Sequence, residues 1–305
     1  MALAIDLGGT DLKSAVVHPS GRILHQQRLS SGSKEGKEKI LERILGAIAL
    51  ERDWAVQKAY SIRGVGLGIP GIVSFPGGIV HRSPHFPAWR DYPLRAVLKK
   101  RLKIPFVLDN DANMAALGEG WRGAGRGRRN YVLLTLGTGI GGGIVMDGKI
   151  HHGDSGFAGE LGHLVIEKNG RPCNCGGRGC LEMYASATGI QHELLQSRVL
   201  RSSTPEDLYQ LATTGDKTAQ LIYEKFGQAL GAGIASIVNA LDIELILLGG
   251  GLARAWKMFI GPVRQAIKSH TYAETSKRIH LKQALLANRA GLIGAAKAIL
   301  GLDHK

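Results

Sequence analysis

All three cysteines of the chain fall within eight residues, as Cys173, Cys175 and Cys180, and His163 stands ten residues before the first. Three thiolates and one imidazole make a tetrahedral zinc set, and C-x-C-x4-C with an upstream histidine is a specific pattern. With all four positions filled by protein, the metal is structural and not a Lewis acid for catalysis. His163 can ligate through one ring nitrogen and keep the other for a hydrogen bond. Two acids bracket the set, Glu160 and Glu182. They can accept hydrogen bonds from sugar hydroxyls, or they can orient the metal ligands.

A second polar group is Leu108-Asp109-Asn110-Asp111-Ala112-Asn113. It follows an apolar run and opens a helical pattern. One acid or amide there would cap free N–H groups. Four polar residues exceed that need. An acid at a strand end can take the proton from a sugar hydroxyl as its oxygen attacks phosphorus. Asp111 is the candidate base, and Asn110 can orient the same sugar.

Three glycine-rich turns complete the set. Asp6-Leu7-Gly8-Gly9-Thr10 and Gly137-Thr138-Gly139-Ile140-Gly141-Gly142 each join two apolar strands. Their N–H groups can face an anion, threonine adds a hydroxyl, and Lys13 adds a cation near the first turn. Each alone is equally a tight hairpin turn. Neither reads G-x-x-x-x-G-K-[ST] nor opens directly into a helix, so neither is a Walker A loop or a dinucleotide fingerprint. Gly249-Gly250-Gly251 ends an apolar strand before a helix. It is either a plain strand-to-helix turn or a surface on which a purine can lie close to the backbone.

The elements that carry these residues repeat. Ala4–Ile23 and Leu133–Ile150, aligned at Asp6 and Thr135, both give a strand, a Gly/Thr turn, a second strand, a turn and a short third strand. The Asp147-Gly148 turn is a hairpin signal. Apolar spacing predicts helices over about Glu38–Leu50, Leu94–Leu102 and from Ala112, with strands at Val65–Ile69 and Pro105–Leu108. The second half shows helical patterns over Pro205–Ala240, Trp256–Ser269 and Gly291–Leu300, with strands at Glu244–Leu248 and Ile279–Leu285. The expected fold is α/β: two α/β domains with a duplicated mixed sheet and an interdomain cleft. Residues 1–110, completed by the helix at 291–305, would form the first domain, and 111–290 the second.

At 305 residues, 44% hydrophobic and 21% charged, the composition is that of a soluble globular protein. The first residues lack the basic and long apolar regions of a signal peptide. No apolar run approaches roughly 20 residues, so no membrane helix is expected. Clustered cysteines suit a reducing compartment. The net charge of +14 is compatible with nucleic acid or with an enzyme that handles phosphates. The cations are spread along the chain apart from Arg122, Arg126, Arg128 and Arg129, so nucleic acid is not expected as a partner.

Taken together these motifs resemble the ROK family of sugar kinases, repressors and related open reading frames, over essentially the whole chain. Asp6-x-Gly8-Gly9-Thr10 and Leu136-Gly137-Thr138-Gly139 are similar to its two phosphate motifs. Asn110-Asp111 is similar to its catalytic pair, the Glu160–Glu182 segment to its zinc and sugar signature, and Gly249–Gly251 to its adenosine motif. The resemblance implies the actin-like, hexokinase-type fold, MgATP as donor with Asp6 near the Mg²⁺, and a hexose 6-hydroxyl as acceptor. It also implies a homodimer or homotetramer, and the reducing compartment expected from the cysteines is the cytoplasm. Repressors of the family carry a helix-turn-helix before the first phosphate strand, which begins here at residue 2 or 3. A kinase is therefore expected over a sugar-responsive regulator. Ala158-Gly159-Glu160 resembles the aldohexose kinases, whereas the family's fructokinases place proline before the glutamate. Ser83–Trp89 resembles the glucokinase loop, with His85 in place of the usual asparagine. Glucose is the expected sugar, with N-acetylglucosamine and N-acetylmannosamine as alternatives.

Overall fold

In the computed structural model, which describes residues 1–197, 199–200 and 202–302, the alternation of the first strand decides what packs on each side of its sheet. β1 (Ala2–Leu7) pairs antiparallel with β2 (Asp11–Val17), and β2 with β3 (Ile23–Ser30). Leu3, Ile5 and Leu7 point to one face, where they pack with Ile40, Ile44 and Ile48 of α1 (Lys37–Gln57). Ala2 and Ala4 point to the other, with Ala15 and Val17 beside them. β4 (Gly64–Ile69) and β7 (Phe106–Asn110) add in parallel, giving the order β3-β2-β1-β4-β7. Between them lie the short antiparallel pair β5 (Ile72–Val73) and β6 (Val80–Arg82), then α2 (Leu94–Arg101).

The alanine face is covered by α3 (Asp111–Arg122) and by the last helix of the chain, here α9 (Ala290–Leu300). Small residues let α9 come unusually near. A Cβ on Gly66 would overlap the Ala295 carbonyl, and one on Gly294 would overlap the Met114 carbonyl. The backbones therefore touch where side chains normally intervene.

The second meander repeats the first. β8 (Tyr131–Leu136) has the same residue-by-residue burial as β1, with Thr135 in the half-buried place of Asp6. β9 (Ile140–Met146) and β10 (Lys149–Ile150) follow, and β11 (Leu245–Gly249) and β12 (His280–Gln283) add in parallel, giving β10-β9-β8-β11-β12. The helices are α4 (Ala187–Gln196), α5 (Pro205–Thr213), α6 (Lys217–Leu241), α7 (Trp256–His270) and α8 (Ala273–Arg278). The helical pattern over 205–240 breaks into α5 and α6. Gly215 turns at a φ of 98°, and Asp216 caps α6 by accepting from Ala219 N–H at 2.8 Å.

By contacts the chain forms two compact units. One holds Met1–Arg129, Gly143–Gly159 and Leu285–Lys305; the other holds Asn130–Gly142 and Glu160–Ala284. α3 and α9 thus belong to the first unit, and residues 303–305 at its end lie outside the described residues. No described helix is long and apolar enough to cross a membrane.

Candidate active site

In the first unit, β1 delivers Asp6 and the turn after it. Gly8 N–H donates to the Asp11 carbonyl at 2.8 Å, closing the hairpin. Lys13 Nζ lies 3.0 Å from Asp6 Oδ2, the two side chains being 23% and 15% exposed. Asp6 shares the alanine face of β1. Its carboxyl backs onto Gly291 in the first turn of α9, where a Cβ would come within 2.8 Å. A carboxylate at a helix N-terminus is favoured by the unpaired N–H groups there. The loop residue His85 lies on this turn: a Cβ on Gly9 would meet its Nδ1 at 2.6 Å.

β7 runs on through Asp109 and Asn110, so that Asp111 is the first residue of α3. Asn110 caps the helix, its Oδ1 accepting from Ala112 N–H at 2.8 Å and Asn113 N–H at 3.2 Å. Its Nδ2 donates to the Gly71 carbonyl at 3.0 Å, which leaves one amide proton for a ligand. Asp111 Oδ1 accepts from Ala112 N–H at 2.9 Å, so the carboxyl is held at the helix start. Asp109 is buried, and His152 donates to its Oδ2 at 2.7 Å. No residue pattern marks this partner, which lies 43 residues away in an irregular segment.

In the second unit, the turn between β8 and β9 closes through Gly137 N–H to the Gly139 carbonyl at 2.9 Å. The start of α4 docks on it. Ala187 N–H donates to the Gly137 carbonyl at 2.9 Å and Thr188 Oγ1 to the Thr138 carbonyl at 2.8 Å. Gly250, at a φ of 84°, sits so close to β8 that a Cβ would overlap Leu136. Gly251 has nothing within 4 Å of its Cβ direction, leaving open backbone for a flat group.

The four predicted metal ligands converge. Their donor atoms all lie within 4.8 Å of one another. Cys175 Sγ is 3.7 Å from Cys180 Sγ, and Cys173 Sγ is 3.6 Å from His163 Nδ1. Tetrahedral Zn–S bonds of about 2.3 Å place two sulfurs about 3.8 Å apart, so the donor set fits zinc. His163 offers Nδ1 to that set and turns Nε2 towards Glu160, whose Oε2 is 3.8 Å away. Glu160 keeps 41% of its side chain accessible, yet loss of hydration pushes its carboxyl up from its ordinary value. His163 pulls it down, and Glu182 pushes it up. Glu182 accepts from Ile140 N–H at 2.9 Å through Oε2. A Cβ on Gly139 would overlap that oxygen, so the glutamate is fixed against the glycine turn with Oε1 left over. Arg171 braces the zinc segment. It donates to the Met183 carbonyl at 2.9 Å, pairs with Glu193 and lies over the Tyr184 ring.

Two meander-led units with parallel strands added to each sheet define the actin-like ATPase fold. The same architecture occurs in a ROK hexokinase from Thermus thermophilus, with a TM-score of 0.86 and 31% identity over 100% of this chain and 99% of that one. A ROK family glucokinase from Streptomyces griseus, in complex with glucose and AMPPNP, superposes with a TM-score of 0.81. It is 29% identical over 97% of this chain and 98% of that one. The chain belongs to the ROK family, whose model matches residues 2–301. A glucokinase of Thermotoga maritima is 37% identical over 310 residues, 97% of this chain and 96% of that one. A glucokinase of Halalkalibacterium halodurans is 36% identical over 306 residues, 96% of this chain and 92% of that one.

Proposed function

We propose that this chain transfers the γ-phosphoryl group of ATP to the 6-hydroxyl of glucose. The observation that carries the reading is the near full-length similarity to a glucokinase that holds glucose and AMPPNP, in a chain that keeps a carboxyl at the start of α3. Asp111 accepts the hydroxyl proton as that oxygen attacks phosphorus, while Asn110 contributes its remaining amide proton to the sugar. Glu160, His163 Nε2 and the free Oε1 of Glu182 accept or share hydrogen bonds with sugar hydroxyls. His163, Cys173, Cys175 and Cys180 would hold zinc in a structural role, fixing the segment that carries these groups and taking no part in phosphoryl chemistry.

The turns at Gly8, Gly9 and Thr10 and at Gly137, Thr138 and Gly139 hold phosphates through backbone N–H groups, helped by Lys13. Gly249, Gly250 and Gly251 receive the adenosine. Asp6 would help hold Mg²⁺, which when bound neutralises charge on the phosphates. Catalysis is then mostly positioning and charge stabilisation. The enzyme acts in the cytoplasm as a homodimer or homotetramer, a state that light scattering after size exclusion reads directly.

A panel of glucose, mannose, fructose, N-acetylglucosamine and N-acetylmannosamine, assayed with MgATP, tests the reading. Glucose should give the highest kcat/KM. A preference for an N-acetylhexosamine would move the assignment to that kinase class. Specific, salt-dependent binding to DNA with no phosphorylation of any sugar would overturn it in favour of a regulator.

A further inference from the structure

Asp109 is a carboxylate that the phosphoryl-transfer reading leaves without a task. It is 3% exposed, and a buried charge persists only with donors around it. Its Oδ1 accepts from Asn110 N–H at 2.7 Å and from Asn113 Nδ2 at 3.0 Å. Those two residues flank Asp111, one as cap and one in the first turn of α3. Asn113 spends its donor on Asp109 while its own buried Oδ1 has no partner among the described residues, so Asp109 dictates how that amide points. The second oxygen, Oδ2, receives His152 Nε2 at 2.7 Å. His152 reaches it from outside the turn.

The histidine is itself fixed. Its ring stacks on Phe75 with centroids 3.7 Å apart and planes 3° from parallel. Its carbonyl accepts from Ala158 N–H at 3.0 Å, closing the loop at 152–158. Gly156 in that loop passes so close to the Phe75 backbone that a Cβ would overlap it.

We infer that His152 is a positioning residue for the base Asp111, acting through Asp109. By donating to Oδ2, as the Nε2–H tautomer or as imidazolium, it holds the Asp109 carboxylate in the orientation that grips Asn110 and Asn113. Without that donor the buried carboxylate must turn to find another, and the α3 start that carries Asp111 turns with it. A misplacement of about 1 Å at a reacting group costs up to about 100-fold in rate. The inference rests on the reading of Asp111 as the base.

The test uses the full zinc-loaded chain with glucose and MgATP. His152→Phe keeps the ring on Phe75 but removes the donor, whereas His152→Gln keeps a donor and removes the aromatic stack. His152→Phe should lower kcat by about 10- to 100-fold with both KM values within about threefold, and His152→Gln should recover most of kcat. Near-normal kcat in His152→Phe, or equal losses in both variants that follow their Tm, would overturn the inference and leave His152 a packing residue. Should His152→Phe not fold, His152→Asn replaces it, carrying the same amide one carbon short. Asn impaired and Gln active supports the inference, and equal turnover overturns it. Asp111→Ala is run alongside. If that variant turns over normally, the base assignment has failed; if it is inactive while His152→Phe is normal, only the role of His152 has.

Discussion

Asn110 holds two jobs that a pair of substitutions separates. Its Oδ1 caps α3, and its Nδ2 ties the cap to Gly71 while keeping one proton for the sugar. Removing an asparagine cap costs about 1 kcal/mol, and the lost bond to the Gly71 carbonyl about 1 kcal/mol more. Asn110→Ala should therefore lose about 2 kcal/mol, which for a chain of this size lowers Tm by roughly 3 °C. Serine caps a helix as well as asparagine but has no amide. Asn110→Ser should lose only about 1 kcal/mol, half the Tm shift. The kinetics divide differently. Both variants lack the sugar donor, so the glucose KM should rise about tenfold in each, equivalent to about 1.4 kcal/mol. Only Asn110→Ala also loosens the turn that carries Asp111, so kcat should fall in Ala and hold in Ser. Scanning calorimetry without ligands and initial rates over a glucose series read the two effects. Equal Tm for Asn110→Ala and the unaltered protein would refute the cap argument. A glucose KM unchanged in both variants would refute the sugar contact.

Replacing Cys175 with serine should empty the zinc site, measured as loss of stoichiometric metal, and raise the glucose KM by about tenfold or more while ATP binding is retained; full metal content would show that Cys175 is no ligand. At the third glycine turn, Gly250→Ala should destabilise the fold by about 1–3 kcal/mol because of its φ of 84° and its approach to Leu136. Gly251→Ala meets nothing and should leave Tm unchanged while raising the ATP KM, so an unaltered ATP KM would remove the adenosine from that surface. His85→Asn should shift the ranking of hexoses. Because His85 lies on Gly9, a changed ATP KM with the hexose ranking intact would instead tie the residue to the phosphate turn.

What could be read from the chain alone were features whose residues lie close in sequence. The cysteines and His163 span 18 residues, the cap Asn110 adjoins the helix it starts, and the duplicated meanders are local hairpins. The equal burial of β1 and β8 shows how directly that duplication was written. The bond between Asp109 and His152 was not legible, because the His151-His152 pair in a glycine-rich segment has no periodicity and the partner of His152 is 43 residues away. The docking of α4 on the Thr138 turn was equally hidden, since its contacts run from Ala187 and Thr188 to carbonyls that any residue supplies. Glu182 illustrates a middle case. Its place beside the cysteines made it a candidate, but only the structure gives one of its oxygens to Ile140 N–H.

The close seat of α9 against β4 and α3 also sets an order of events during synthesis. The first unit needs residues 290–300 to cover the face formed by Ala2, Ala4, Val17 and Met114. Residues of the second unit, ending at Ala284, leave the ribosome before those do. At roughly 5–20 residues per second, α9 follows α3 by roughly 10–40 s. During that interval the nascent chain can finish its later half while its earlier half waits with one flank of its sheet covered by α3 alone. Chaperone contacts on this protein should therefore concentrate on the segment made first.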